Sequence, residues 1–263
     1  MANTRQPQRH APPKPWGIFE TVLWILLAVF ISVIVAVPTL ALWNGGKLPQ
    51  SLMSDGQLPS LAVLVSTAVQ VEVLAWVARR RGWQAADYLG WVVPEPRDAA
   101  VTLALIVALI LVFHALDYVL DRSDLVSSFQ INRYRSAREA GGLVMLWIAW
   151  VAAAPLGEEI MFRGFLYRGW ARSPGAVVPA VVVISALWAI LHLQQYEYDW
   201  LVILQILLDG LVLGWARWRS GSTMLTFAMH AFHNTWALVE TAVWFSLTDG
   251  RTDYAILIPC SML

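Results

Sequence analysis

The chain has 263 residues, is 58% hydrophobic and 14% charged, and carries no formal net charge at pH 7. A soluble domain of this length holds about 25% charged residues, so the composition indicates a polytopic membrane protein instead. The balanced charge speaks against nucleic acid as a partner, and the single cysteine, Cys260, excludes a disulfide framework and a cysteine-cluster metal site.

In chain order, residues 1–16 are polar and proline-rich and read as a disordered tail. The apolar run from Trp16 to Trp43 exceeds the core of a signal peptide and reads as a retained span. Seven segments are each near the roughly 20 residues that a bilayer requires: 17–43, 59–78, 99–119, 143–170, 175–193, 200–216 and 223–247. Turn residues separate them, among them Asn44-Gly45-Gly46, Arg81-Gly82, Ser173-Pro174-Gly175 and Ser220-Gly221. Tryptophans gather near the span ends, as interfacial anchors do. The tail 248–263 contains the short apolar run Tyr254 to Ile258 and reads as a partial eighth span. The predicted fold is therefore all-α, a transmembrane helical bundle of seven or eight spans over 17–247. Its location is an integral, multi-pass one, assigned to the plasma (cytoplasmic) membrane. The face holding the N-terminal tail and loop 79–98 carries more Lys and Arg, which puts the N-terminus in the cytoplasm.

Few ionisable or strongly polar groups lie inside the spans. Each ionisable one is costly there, by roughly 2.5 to 3.5 kcal/mol on insertion scales, which makes them candidates for function. Glu158 and Glu159 are adjacent in the apolar run Leu143 to Tyr167. Glu159 and Arg163 stand at i, i+4, the spacing of an ion pair on one helix face, while Glu158 is rotated by about 100° and left to face a cavity. His230 and Asn234 are again i, i+4, with His233 beside them, and His192 closes the fifth span. Glu158 lies seventeen residues before Gly175 and His192 seventeen after it. In a tight antiparallel hairpin, equal offsets give equal depth, roughly 25 Å from the turn, so the two are expected to meet. His114 and Asp117 read as a local i, i+3 pair or as interfacial groups, Glu72 and Glu240 as partners of neighbouring helices, and Asp209 as hydrogen-bonded within the bundle.

Three patterns occur in order, each on its own apolar segment. They are Glu158-Glu159-Ile160-Met161-Phe162-Arg163, then Trp188-Ala189-Ile190-Leu191-His192, then His230-Ala231-Phe232-His233-Asn234. Together they resemble the EExxxR, FxxxH and HxxxN motifs of the intramembrane CAAX-protease and bacteriocin-processing family, which includes the Ras-converting enzyme. The resemblance covers residues 143–247, the expected catalytic core, with Trp188 standing where the family usually has Phe. It implies an endopeptidase that cleaves a lipidated or membrane-bound protein or peptide near its C-terminus. It also implies that Glu158, with His192, activates a water, and that His230 and Asn234 donate to the oxyanion. Glu159 and Arg163 then act in support. A divalent metal such as zinc, held by Glu158, His192 and His230, is left open by this donor set; a metal-free glutamate mechanism is the reading taken. The expected partners are a prenylated or membrane-bound substrate and the lipid bilayer. The competing expectation is a non-catalytic immunity or scaffold protein of the same fold. The last four residues, Cys260-Ser261-Met262-Leu263, themselves have the CaaX form, which is read as coincidence.

Overall fold

The computed structural model describes residues 13–47, 56–120, 122 and 126–248. The predicted partial eighth span, the C-terminal Cys260-Ser261-Met262-Leu263 and most of the N-terminal tail lie outside them. Among the described residues every regular element is a helix. We label them α1 (Ile18–Trp43), α2 (Leu58–Arg80), α3 (Ala85–Leu89), α4 (Pro96–Val119), α5 (Ser128–Glu139), α6 (Leu143–Trp170), α7 (Pro174–Leu191), α8 (Trp200–Ser220) and α9 (Thr223–Thr248).

Six of these, α1, α2, α4, α6, α7 and α8, are long and apolar enough to cross a bilayer. The seventh predicted span, α9, is as long as α1 but carries His230, His233, Asn234 and Glu240, which lowers its hydropathy. The chain is thus an all-helical, multi-pass membrane bundle. Prolines start α2, α4 and α7 in the first turn, where no intrahelical N–H is needed. The outward faces are apolar: Phe19 is 85% exposed and Val144 74%, as suits side chains that meet lipid.

Two short helices were not read from the sequence. One, α5, forms in the Arg-rich stretch between the predicted spans 99–119 and 143–170. Ser127 opens it with a capping box, its hydroxyl accepting from the Gln130 N–H while the Gln130 side chain reaches back to the Ser127 N–H. Phe129 of α5 stacks on Trp150 at 5.7 Å between ring centroids. The other, α3, is tucked under α9, where the Thr223 hydroxyl donates to the Leu89 carbonyl at 2.7 Å. Residues 13–16, assigned to the tail, are packed: Trp16 lies edge-on to Trp24 at 5.5 Å and the Arg81 guanidinium sits 4.6 Å over its ring.

Close helix approach depends on small residues. A Cβ on Gly210 of α8 would stand 2.9 Å from the Ser185 side chain of α7, and one on Gly214 would stand 2.6 Å from Val181. Removing side-chain bulk lets backbones approach where lipid supplies no hydrophobic drive between helices.

Candidate active site

Two π-helical stretches interrupt α6, Ile148–Ala153 and Ile160–Leu166. In the first, the Ala154 N–H reaches back five residues to the Ala149 carbonyl. The next bond in that register would run from residue 155 to Trp150, but residue 155 is proline and has no N–H to give. The Asn234 side-chain amide supplies the missing donor, bonding the Trp150 carbonyl at 2.9 Å. Thr67 of α2 donates to the Ala153 carbonyl at 3.0 Å, and a Cβ on Gly157 would stand 3.0 Å from the same hydroxyl. Pro155 and Gly157 therefore seat α6 against α9 and α2 just before the two acids.

Glu159 is completely buried. Its Oε1 accepts from Arg163 Nη1 at 2.9 Å, the i, i+4 pair expected from the spacing, and from His230 Nδ1 at 3.0 Å. Arg163 is 1% exposed, donates through Nη2 to the Gly210 carbonyl at 3.3 Å, and lies 4.6 Å over the Trp188 ring. One carboxylate thus joins the first and third motifs, and one guanidinium joins both to α8 and α7.

Glu158 points elsewhere, as its rotation on the helix requires. Its Oε2 accepts from the Trp188 indole N–H at 2.6 Å. The hairpin count put Glu158 level with His192; the structure puts its carboxylate on Trp188, one turn nearer the hairpin, and no hydrogen bond joins Glu158 to His192 among the described residues. The second π stretch moves Glu158 in that direction. Bonding to the fifth residue winds more residues into each turn, so residues 160–166 advance less along the axis than an α-helix would.

Trp188 is the hub that the sequence did not reveal. Its ring meets His192 edge-on at 5.1 Å and His230 edge-on at 5.3 Å, and its carbonyl accepts from His192 Nδ1 at 2.8 Å. Trp in the place where the family usually has Phe brings a hydrogen-bond donor onto Glu158. The indole nitrogen was the available signal, since a buried Trp N–H needs an acceptor. His192 and His230 each commit Nδ1 to a protein acceptor, so Nε2 is the nitrogen left for a ligand in both.

A cavity of about 530 Å³ opens among α4, α5, α7, α8 and α9. Trp188, His192, His230 and Asn234 line it; Glu158 does not, and is joined to its wall through the indole. Several groups with bland sequence readings also line it. His114 and Asp117 do not pair with each other. His114 Nε2 meets the Glu240 carboxylate of α9, and Asp117 accepts from Gln205 of α8 at 3.3 Å, because those helices bring better-placed partners across the cavity. Asp209 is bonded to His233 at 2.8 Å. Glu72 lies outside the site, largely exposed beside Arg79 of its own helix instead of on a neighbouring one.

At the rim, Arg122 grips Asp199 through both guanidinium nitrogens, and this bond holds the Asp199 carboxyl below the usual carboxylate range. Asp199 also caps α8, accepting from the Leu201 N–H at 3.0 Å. Tyr196 stacks on His192 at 6.4 Å, and burial pushes its phenol up to about 12, so it remains a neutral donor.

Residues 140–236 match the family model of the type II CAAX prenyl endopeptidases, Rce1-like. This segment is Rce1-like. The match runs from just before α6 to just past Asn234, and so encloses all three motifs, with α6, α7 and α8 whole and the first half of α9. No curated protein and no solved structure matches the chain. The Rce1-like family is one of proteases, so the match supports a hydrolase in general.

Among the described residues no three His, Cys, Asp or Glu side chains converge as a metal site. Glu158, His192 and His230 of the Rce1-like segment are thus not drawn into a three-ligand set in this arrangement.

The hub yields a graded prediction. Trp188→Phe keeps an aromatic ring, the residue usual in the family motif, and removes the bond to Glu158 together with part of the buried ring. A hydrogen bond to a charged group contributes about 1.5–3 kcal/mol to stability, so a loss of that order is expected, with cleavage slowed because Glu158 is no longer anchored. Trp188→Ala also strips the ring from Arg163, His192 and His230, with a stability loss of about 3–5 kcal/mol. Thermal unfolding and turnover, measured on both variants, separate the two effects; equal turnover in the wild type and Trp188→Phe would reduce the indole to packing.

Proposed function

We propose that the protein is an intramembrane endopeptidase that cleaves a lipidated or membrane-bound protein or peptide near its C-terminus, in the plasma membrane. The observation that carries this reading is the convergence of the three motifs on one ring: Glu158 bonds Trp188, whose ring meets His192 and His230.

The division of labour follows from the bonds each group has already made. Glu158, with one carboxylate oxygen on Trp188, and His192, with Nε2 free, accept the proton of a water that attacks the scissile carbonyl. His230, in its doubly protonated form and backed by Glu159, and Asn234, which retains one amide hydrogen after serving Trp150, donate to the developing oxyanion. One such donor contributes about 2.7–4 kcal/mol in the transition state. Glu159 and Arg163 hold these groups in register. The cavity gives a peptide backbone room to reach His192, His230 and Asn234, with Glu158 joined to its wall through the Trp188 indole, while the substrate's lipid or membrane anchor stays in the bilayer.

The test is cleavage of a panel of membrane-tethered peptides, prenylated and not, by the full-length protein and its Glu158→Ala variant, with and without chelator. Cleavage by the wild type that is lost in the variant is the expected result. Equal cleavage by both would overturn the reading, and a partner captured without cleavage would favour a scaffold of the same fold. Loss of activity with chelator would bring an ion into the mechanism.

A further inference from the structure

The mechanism above leaves one buried pair unused. Asp209 of α8 is 5% exposed, and its Oδ2 bonds His233 Nδ1 at 2.8 Å. His233 stands three residues after His230 and one before Asn234, one turn along the same face of α9, and both members of the pair line the cavity. The arrangement repeats that of Glu159 and His230: a buried carboxylate takes Nδ1 and leaves Nε2 for the cavity. Of the two imidazoles His233 is the more accessible, its side chain 27% exposed against 8% for His230. The two pairs are also anchored together. Asp209 is followed by Gly210, whose carbonyl takes Arg163, the partner of Glu159.

Hydrolysis needs more than a base. When the C–N bond breaks, its electron pair goes to the nitrogen, which must gain a proton to leave as an amine. His230 is held by Glu159 for the oxyanion, and Glu158 has just taken the proton of water. The wall around His233 suits a nascent ammonium: Asp117, Glu197, Asp199, Asp209 and Glu240 line the cavity, with Arg122 the only Lys or Arg among its lining residues.

We propose that His233, oriented by Asp209, is the proton donor to the departing amine, an inference that rests on the protease reading. Doubly protonated His233 gives its Nε2 proton to the nitrogen as the tetrahedral intermediate collapses, becoming neutral while Asp209 keeps the Nδ1 proton in place. The proton that Glu158 took from water returns to His233 through cavity water, so one water is consumed and one acid and one amine are formed. Asp209 is a positioning residue in this scheme, acting only through His233.

The test compares two leaving groups on one acyl portion, using the full-length protein in membranes. One substrate is a membrane-tethered peptide that the wild type cleaves; the other is its aryl ester, whose phenolate departs without a proton. His233→Gln is expected to slow peptide cleavage by about 10²-fold, the low end for a general acid, and to change ester cleavage by less than about threefold. Asp209→Asn should lose on the peptide and spare the ester in the same way. Equal losses on both substrates, or no loss on the peptide, would overturn the proposal. The wild type gives a check that no variant's folding can obscure: across anilides of decreasing amine basicity its rate should vary little, and a steep dependence on the leaving group would count against a donor. A wild type inert to both substrates, or a Glu158→Ala variant that cleaves both, would bring down the protease reading itself.

Discussion

Replacing Glu158 by glutamine is expected to lower turnover of a membrane-tethered peptide by about 10²–10⁴-fold, the range that a positioned general base contributes. The amide keeps the shape of the side chain and can still accept from the Trp188 indole through its carbonyl oxygen, so the hub and the helix packing survive. What it loses is the capacity to take a proton from water. Insertion and thermal stability should therefore match the wild type, because Glu158 is half-buried and its bond to Trp188 is retained. The expected split is an unchanged KM with a reduced kcat, the pattern of an interaction made only in the transition state. Wild-type turnover in this variant would transfer the base to His192 and remove the central step proposed here. A raised KM with kcat intact would instead assign Glu158 to substrate binding.

Much of this site could be read from spacing because its central bonds are local or lie on matched faces. Glu159 and Arg163 pair within one helix, and a separation of four residues suffices to predict it. The helix boundaries were legible for a similar reason: hydropathy responds to composition over some twenty residues, and the bilayer makes composition decisive. What escaped was whatever depends on two helices meeting at a particular rotation. His233 and Asp209 lie on different helices with no spacing rule between them, so a hydrogen bond from Asp209 within the bundle could be expected but its partner could not be named. Asn234 was legible as a motif residue, but its bond to Trp150 exists only because a π register carries the next bond to Pro155, which has no N–H. A second departure from α geometry moves Glu158 from the level of His192 toward that of Trp188. A count at 1.5 Å per residue presumes an unbroken α-helix, and the Glu158-bearing helix is not one. The amphipathic α5 was missed because attention to apolar runs passes over a short polar helix, although Ser127 and Gln130 spelled out its cap.

Arg163→Met is expected to destabilise the protein by about 3–5 kcal/mol, the usual consequence of leaving one member of a buried pair without its partner. Glu159 is fully buried, and its Oε2 has no hydrogen-bond partner among the described residues. Without the guanidinium, the charge loses its only cationic ion-pair partner other than His230, and the Gly210 carbonyl loses its donor from α6. Arg163→Lys should recover little, since an ammonium cannot bond Glu159 and Gly210 while lying flat on Trp188. A neutral double variant, Glu159→Gln with Arg163→Met, removes both charges, and a buried pair replaced as a unit is often neutral for stability. Its unfolding midpoint should therefore recover most of the loss. Activity should not recover with it, because His230 has lost the carboxylate that holds its Nδ1 and Trp188 has lost the cation over its ring. Thermal unfolding and peptide cleavage measured on the single and double variants separate these effects. A double variant as unstable as Arg163→Met alone would mean that packing of the guanidinium, and not the pairing of charges, holds the three motifs together.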